Sequence, residues 1–260
     1  MEVVIIAVTL IATLVGSISG IGGGVIIKPV MDAVLDIPVS SISFLSGTTV
    51  LAMTVVSIFF KNKNVRLDRP RGTFLALGGG IGGIFGKMLF SAVKLRAGND
   101  SAVGITQNIL MIILTGSVFF YVLYKDKIKT YDIKNAFFCV SAGLFLGILS
   151  SFLGIGGGPI NIMALSLFFS LDSRNAALNS LYIIFFSQIM NLIFSVITGS
   201  VPDFSWPLLI CMIVCGVAGA SAGRQVSKKM DNRAVDRLFM GIMLVIIFIS
   251  VYNVFRFLKY

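Results

Sequence analysis

The sequence predicts an all-α polytopic membrane protein: one membrane domain over residues 1–260, built from two inverted four-segment repeats, 1–125 and 135–260. Three observations predict it. The 260 residues are 57% hydrophobic and 12% charged, with a mean hydropathy of +0.98, far from the roughly 25% charged residues of soluble domains. Eight apolar stretches recur along the whole chain, divided by short basic connections. The pentapeptide Gly-Ile-Gly-Gly-Gly stands at 20–24 and again at 154–158, each time inside a stretch otherwise suited to one continuous helix.

The eight hydrophobic segments fall at about 3–20, 42–60, 73–93, 104–124, 136–153, 176–197, 206–226 and 238–257. The opening run after Met1-Glu2 has no basic n-region and no small-residue cleavage site, so it reads as a retained membrane segment. The first and fifth segments are broken or re-entrant at the glycines. From Ala136 to Leu171 there are 36 residues without a charge, and one helix of that length would measure about 54 Å against a hydrocarbon core of about 30 Å. A break at the glycines lets the chain turn at depth and return as a shorter helix, its free backbone groups lining protein or a cavity. Val3 to Leu35 repeats the pattern. A kinked but complete crossing is the alternative.

Charge separates the two topologies. If all eight segments cross, Lys and Arg divide 11 against 10, which gives no orientation. If the first and fifth turn back, one side receives 15, from 61–72, 125–135, Arg174 and 224–237, and the other receives 6. Each half then has three crossings and one hairpin, so the halves are inverted and both termini face outward.

The halves match beyond the pentapeptide. Gly79, Gly82 and Gly86 precede Lys87, and Gly216, Gly219 and Gly223 precede Arg224, so both read G-x-x-G-x-x-x-G followed by a cation. Ser57-Ile58-Phe59-Phe60 and Asn191-Leu192-Ile193-Phe194 share the 134-residue offset of the glycine motifs. The paired pentapeptides, Pro29 in Val25-Ile26-Ile27-Lys28-Pro29 and the glycine ladders resemble the sulfite exporter TauE/SafE family over essentially the full chain. The second half departs from the first in having Pro159 directly after the glycines and Met163 where Pro29 would fall. The resemblance implies transport of sulfite, organosulfonates or related small anions, most simply as export.

Several residue types fit such a substrate. Amides at the start of a half-helix form an anion site, which makes Gly22, Gly23, Gly24, Gly156, Gly157 and Gly158 candidate substrate contacts. Glycine-rich helix contact is the plainer reading of the same residues. Gly23 and Gly157 are expected in a turn of positive φ or an amide-lined pocket, where an added methyl is not accepted. Asn161 is the best-placed amide donor after the second motif. Ser46, Thr48, Thr49, Thr54 and Ser57 in the second segment, with Asn179, Ser180, Gln188 and Asn191 in the sixth, supply uncharged hydrogen-bond donors, although holding helices together is their commoner use. Lys28 is an intramembrane cation and so a functional candidate; its structural reading is a pair with Asp32 at i+4. Lys87 and Arg224 read as gating or anion-attracting cations, one at each mouth of the pathway, or as side chains that snorkel to the headgroups. The ladders read as close helix contacts against the two broken segments.

Other classes are poorly served. There is no His, the one Glu is at position 2, and the three cysteines lack metal or redox spacing, so neither an enzyme nor a metal or cofactor site is expected. The net charge of +10 lies in the short connections, which argues against nucleic acid. The partners expected are a small anionic substrate and the lipid bilayer of a prokaryotic plasma membrane, with a homo-oligomer left open. An interior-negative potential of about 100 mV favours exit of each monovalent anion by about 2.3 kcal/mol, so export needs no coupling ion. The alternatives are proton-coupled anion uptake and a non-transporting assembly or accessory subunit.

Overall fold

The computed structural model describes residues 2–60 and 67–259; residues 61–66 of the first basic connection, with Lys61, Lys63 and Arg66, lie outside the described residues. The chain forms α1 (Glu2–Ser19), α2 (Gly24–Val34), α3 (Val39–Phe59), α4 (Arg69–Ala97), α5 (Asp100–Tyr124), α6 (Ala136–Leu153), α7 (Gly158–Phe169), α8 (Ser173–Ile197), α9 (Trp206–Ser227) and α10 (Asn232–Leu258). No strand occurs among the described residues. Among the described residues, seven helices, α3 to α6 and α8 to α10, are long and apolar enough to cross a membrane, while α1 and α7 are shorter apolar helices. Large apolar side chains such as Phe137, Ile197, Phe248 and Phe255 point outward from the bundle. The protein is a multi-pass membrane protein.

Seven of the eight apolar stretches therefore coincide with spans, and the first with the shorter α1. The glycines break the helices where the sequence predicts. α1 stops at Ser19, Gly20 and Gly22 take φ of +77° and +78°, and α2 starts at Gly24. α6 stops at Leu153, Gly154 takes φ +67°, and α7 starts at Gly158. In the second half Gly156, Gly157 and Gly158 are all left-handed, whereas Gly23 has φ −60° and ψ −23°. Gly157 thus meets the expectation of positive φ and Gly23 does not.

Each half packs on the other. α4 lies along α6 and α9 lies along α1, and these are the closest helix pairs in the molecule. The ladders make this approach possible: a methyl on Gly82 or Gly86 would overlap the carbonyls of Leu144 and Ile148, and a methyl on Gly219 or Gly223 would overlap Leu10, Thr13, Leu14 and Ser17. Gly143 and Gly147 of α6 return the contact against Leu75 and Gly79. The ladders are close-packing surfaces, as expected. The pattern is the same under exchange of halves, since α4 also packs on α8 as α9 does on α3, and α2 on α10 as α7 does on α5.

The connections gather at two ends. At one, Arg224 donates to the carbonyl of Phe60 at 2.8 Å, Arg71 pairs with Asp68 and Asp132, Lys125 and Ser173 meet Asp236, and Arg174 donates to the Ser227 carbonyl. At the other, Ser41 donates to the Asp203 carbonyl at 2.7 Å, Lys94 reaches Ser40 at 3.1 Å and Asp100 at 3.0 Å, and Arg256 pairs with Asp36.

Candidate functional site

Both glycine turns are buried at the centre and touch. A methyl on Gly24 would lie 2.6 Å from the Ile155 carbonyl, and one on Gly158 would lie 2.5 Å from Val25. Their surroundings are mostly apolar: Ile21, Val25 and Ile155 belong to the main hydrophobic core, with Val50 and Ile184 packed beside the turns. Polar side chains stand beside both turns. Ser180 donates to the Gly20 carbonyl at 2.7 Å, and Asn161, itself 1% exposed, stands beside Gly157 with both amide atoms unpartnered.

Beside the second turn, a cleft runs between four helices toward the end that holds Ser40, Lys94 and Asp100. α3 contributes Ser43, Gly47 and Thr48; α4 contributes Lys87 and Phe90; α6 contributes Ser151 and the turn residue Gly154; α8 contributes Gln188, Asn191, Leu192 and Ser195. Glycines bring these walls together. A methyl on Gly83 would stand 2.6 Å from the Ser187 carbonyl, and one on Gly47 would stand 2.8 Å from Gln188 Oε1. Lys87, one turn beyond Gly83, is thereby carried between α6 and α8.

Lys87 is 8% exposed, and among the described residues no carboxylate pairs with it. Its ammonium lies 5.6 Å from the centre of the Phe90 ring. Ser43 Oγ, Gln188 Nε2 and Asn191 Oδ1 are buried atoms without a hydrogen-bond partner among the described residues. A buried cation and several polar atoms left unpaired by the fold are costly unless something else completes them. The arrangement offers one positive charge and uncharged donors to a small anion.

The structure thus unites Thr48, Lys87, Gln188 and Asn191 of the residues singled out from sequence. It adds Ser43, Ser151 and Phe90, which sequence reasoning missed; the only sequence signal for Ser43 was its place 134 residues before Ala177, the residue against Gly20. The remaining candidates do not line this cleft. Gly22, Gly23, Gly24, Gly156, Gly157, Gly158 and Asn161 form the turns behind it. Ser46 is buried with its hydroxyl unpartnered, and Thr49 turns back to the Leu45 carbonyl at 2.8 Å. Lys28 pairs with Asp32 at 2.7 Å, both fully buried. Arg224, the counterpart of Lys87, is tied to Phe60 by the carbonyl contact and by its ring, 5.5 Å away.

A bundle of membrane-spanning helices, folded as two mutually packed halves around broken glycine turns with an unpaired cation in an adjoining cleft, defines a polytopic protein of the transporter class. The sequence profile of the family described as Sulfite exporter TauE/SafE matches residues 5–250, and the chain belongs to that family. It is similar to a probable membrane transporter protein, YunE, of Bacillus subtilis (strain 168), with 23% identity over 272 residues that cover 94% of this chain and 95% of that one. No solved structure matches the chain.

Proposed function

We propose that this transporter moves small sulfur-containing or organic anions, such as sulfite or an organosulfonate, outward across the membrane under the membrane potential. The observation that carries the reading is Lys87, a buried cation without a carboxylate partner, facing the unpartnered Gln188 amide and Ser43 hydroxyl. The proposed topology is an inverted repeat with both termini outside. It is supported by the gathering of Arg71, Lys125, Arg174 and Arg224 at one end, and of α1's start with α9's start through Ile5 and Leu208 at the other. The cleft then faces outward, and the equivalent route on the inner side is closed where Ala177 packs on Gly20 and Arg224 binds Phe60.

Purified protein in liposomes, with an imposed potential, tests this directly. Flux of sulfite or sulfoacetate should rise with interior-negative potential, and Lys87→Gln should reduce it by about tenfold or more, the effect of removing one charge-assisted contact. Equal flux by Lys87→Gln in correctly folded protein would remove Lys87 from the pathway.

One observation favours a second reading, proton-coupled uptake: Asp32 is 1% exposed and keeps Oδ1 unpartnered, although Oδ2 is bound by Lys28. An acid shift inside the liposomes during uptake, abolished by Asp32→Asn, would establish it in place of export.

A further inference from the structure

We infer that the cleft selects anions by charge state, accepting a single negative charge and rejecting two. The inference rests on the anion reading above and concerns which anions the site holds. Among the described residues, Lys87 is the only charged side chain lining the cleft. The nearest other cation on its own helix, Lys94, is already neutralised by Asp100 at 3.0 Å and hydrogen-bonded to Ser40. The walls from α3, α6 and α8 present no charged side chain to Lys87.

A monoanion beside Lys87 leaves the cleft neutral. A dianion leaves one negative charge uncompensated among Phe90, Leu192, Gly47 and Gly154, where removal from water is only weakly offset by uncharged donors. Those donors are few: Gln188 Nε2, held by the close approach of Gly47, and Ser43 Oγ. They suit the remaining oxygens of a sulfonate, or of the singly ionised form of a diprotic oxyacid. In that form the acid's own hydroxyl has an acceptor available in Asn191 Oδ1.

Binding to the full-length protein, measured by ligand-induced thermal stabilisation and by equilibrium titration at matched ionic strength, decides it with two probes of fixed charge. Methanesulfonate should bind at least about tenfold more tightly than sulfate. Leu192→Lys, which adds a second cation to the cleft wall, should narrow that ratio, with an unchanged melting temperature of the ligand-free protein certifying its fold. Liposome flux of sulfite per total sulfite should fall from mildly acid to mildly alkaline pH as the second proton leaves, while methanesulfonate flux stays level. Sulfate binding equal to or tighter than methanesulfonate, with both lost in Lys87→Gln, would overturn charge selection and leave the anion site standing. Failure of both anions to bind the wild-type protein would overturn the site and the inference together.

Discussion

The two glycine turns share a sequence and differ in what their neighbours do with it. At the first, Ala177 packs on Gly20, Ser180 caps its carbonyl and Arg224 is spent on the Phe60 carbonyl. At the second, the residue in the place of Ala177 is Ser43, whose hydroxyl is unpartnered, and the residue in the place of Arg224 is Lys87, for which no carboxylate partner occurs among the described residues. The comparison teaches that the motif supplies a break in a helix and that the flanking helices decide whether the break adjoins a site. Equivalent scaffolds thus carry one filled set of polar groups and one unfilled set.

The largest effects are expected where the halves are alike. Gly82→Ala, at the α4–α6 contact, and Gly219→Ala, at the α9–α1 contact, each push a methyl into backbone, and each should cost about 1–3 kcal/mol by overpacking. Gly241→Ala has nothing within 4 Å and should be neutral or stabilising by up to about 1 kcal/mol, as helix propensity dictates. Melting temperature and the monodisperse fraction after purification measure all three. A harmless Gly219→Ala beside a damaging Gly82→Ala would break the equivalence of the two interfaces.

Next come the turns, where the halves diverge. Gly157 has φ +93°, so Gly157→Ala adds backbone strain of about 1–2 kcal/mol and crowds Asn161, 2.6 Å from the new methyl. Gly23 is already right-handed, and the obstacle to Gly23→Ala is the Thr13 methyl, 2.8 Å away. Adding Thr13→Ser should therefore recover part of the stability lost in Gly23→Ala. No change at position 161 should recover Gly157→Ala fully, because the strain is in the backbone. Thermal melts of the single and double variants check this, and full recovery of Gly157→Ala by Asn161→Ala would show that contact, not backbone, governs the second turn.

The sequence made the helices and their breaks legible because both rest on local physics: apolar length for the spans and the cost of consecutive glycines for the turns. The handedness of Gly157 against Gly23 needed the structure, because a glycine has no side chain to set the sign of φ. The cleft was less legible. Lys87, Gln188 and Ser43 come from three different helices, and only the packing of α8 against both α4 and α3 brings them together. Lys28 looked the most unusual charge, yet Asp32 one turn away neutralises it. The burial that makes a charge conspicuous in sequence says nothing about whether its partner is already in the chain.

The smallest effect is expected at the starts of α4 and α9, which are tethered by different chemistry. Arg71, in the first turn of α4, reaches Asp132 in the connection between the halves. The segment leading into α9 is held by the Ser41 hydroxyl on the Asp203 carbonyl. The Arg71 hydrogen bond, helped by Lys134, holds the Asp132 carboxyl below its ordinary range. A carboxyl depressed in the folded state contributes stability above its unfolded value of about 3.9, and that contribution is lost as pH falls through the lower folded value. Asp132 is 54% exposed, so solvent screens the pair and the effect is small. Asp132→Asn should lower the melting temperature slightly at neutral pH, with the difference from wild type shrinking as pH falls below that unfolded value. Ser41→Ala, which removes an uncharged tether, should lower it by the same amount at every pH. A pH-independent effect of Asp132→Asn would mean that the two tethers, unlike in chemistry, act alike, the charge at Arg71 adding nothing to the hold on α4.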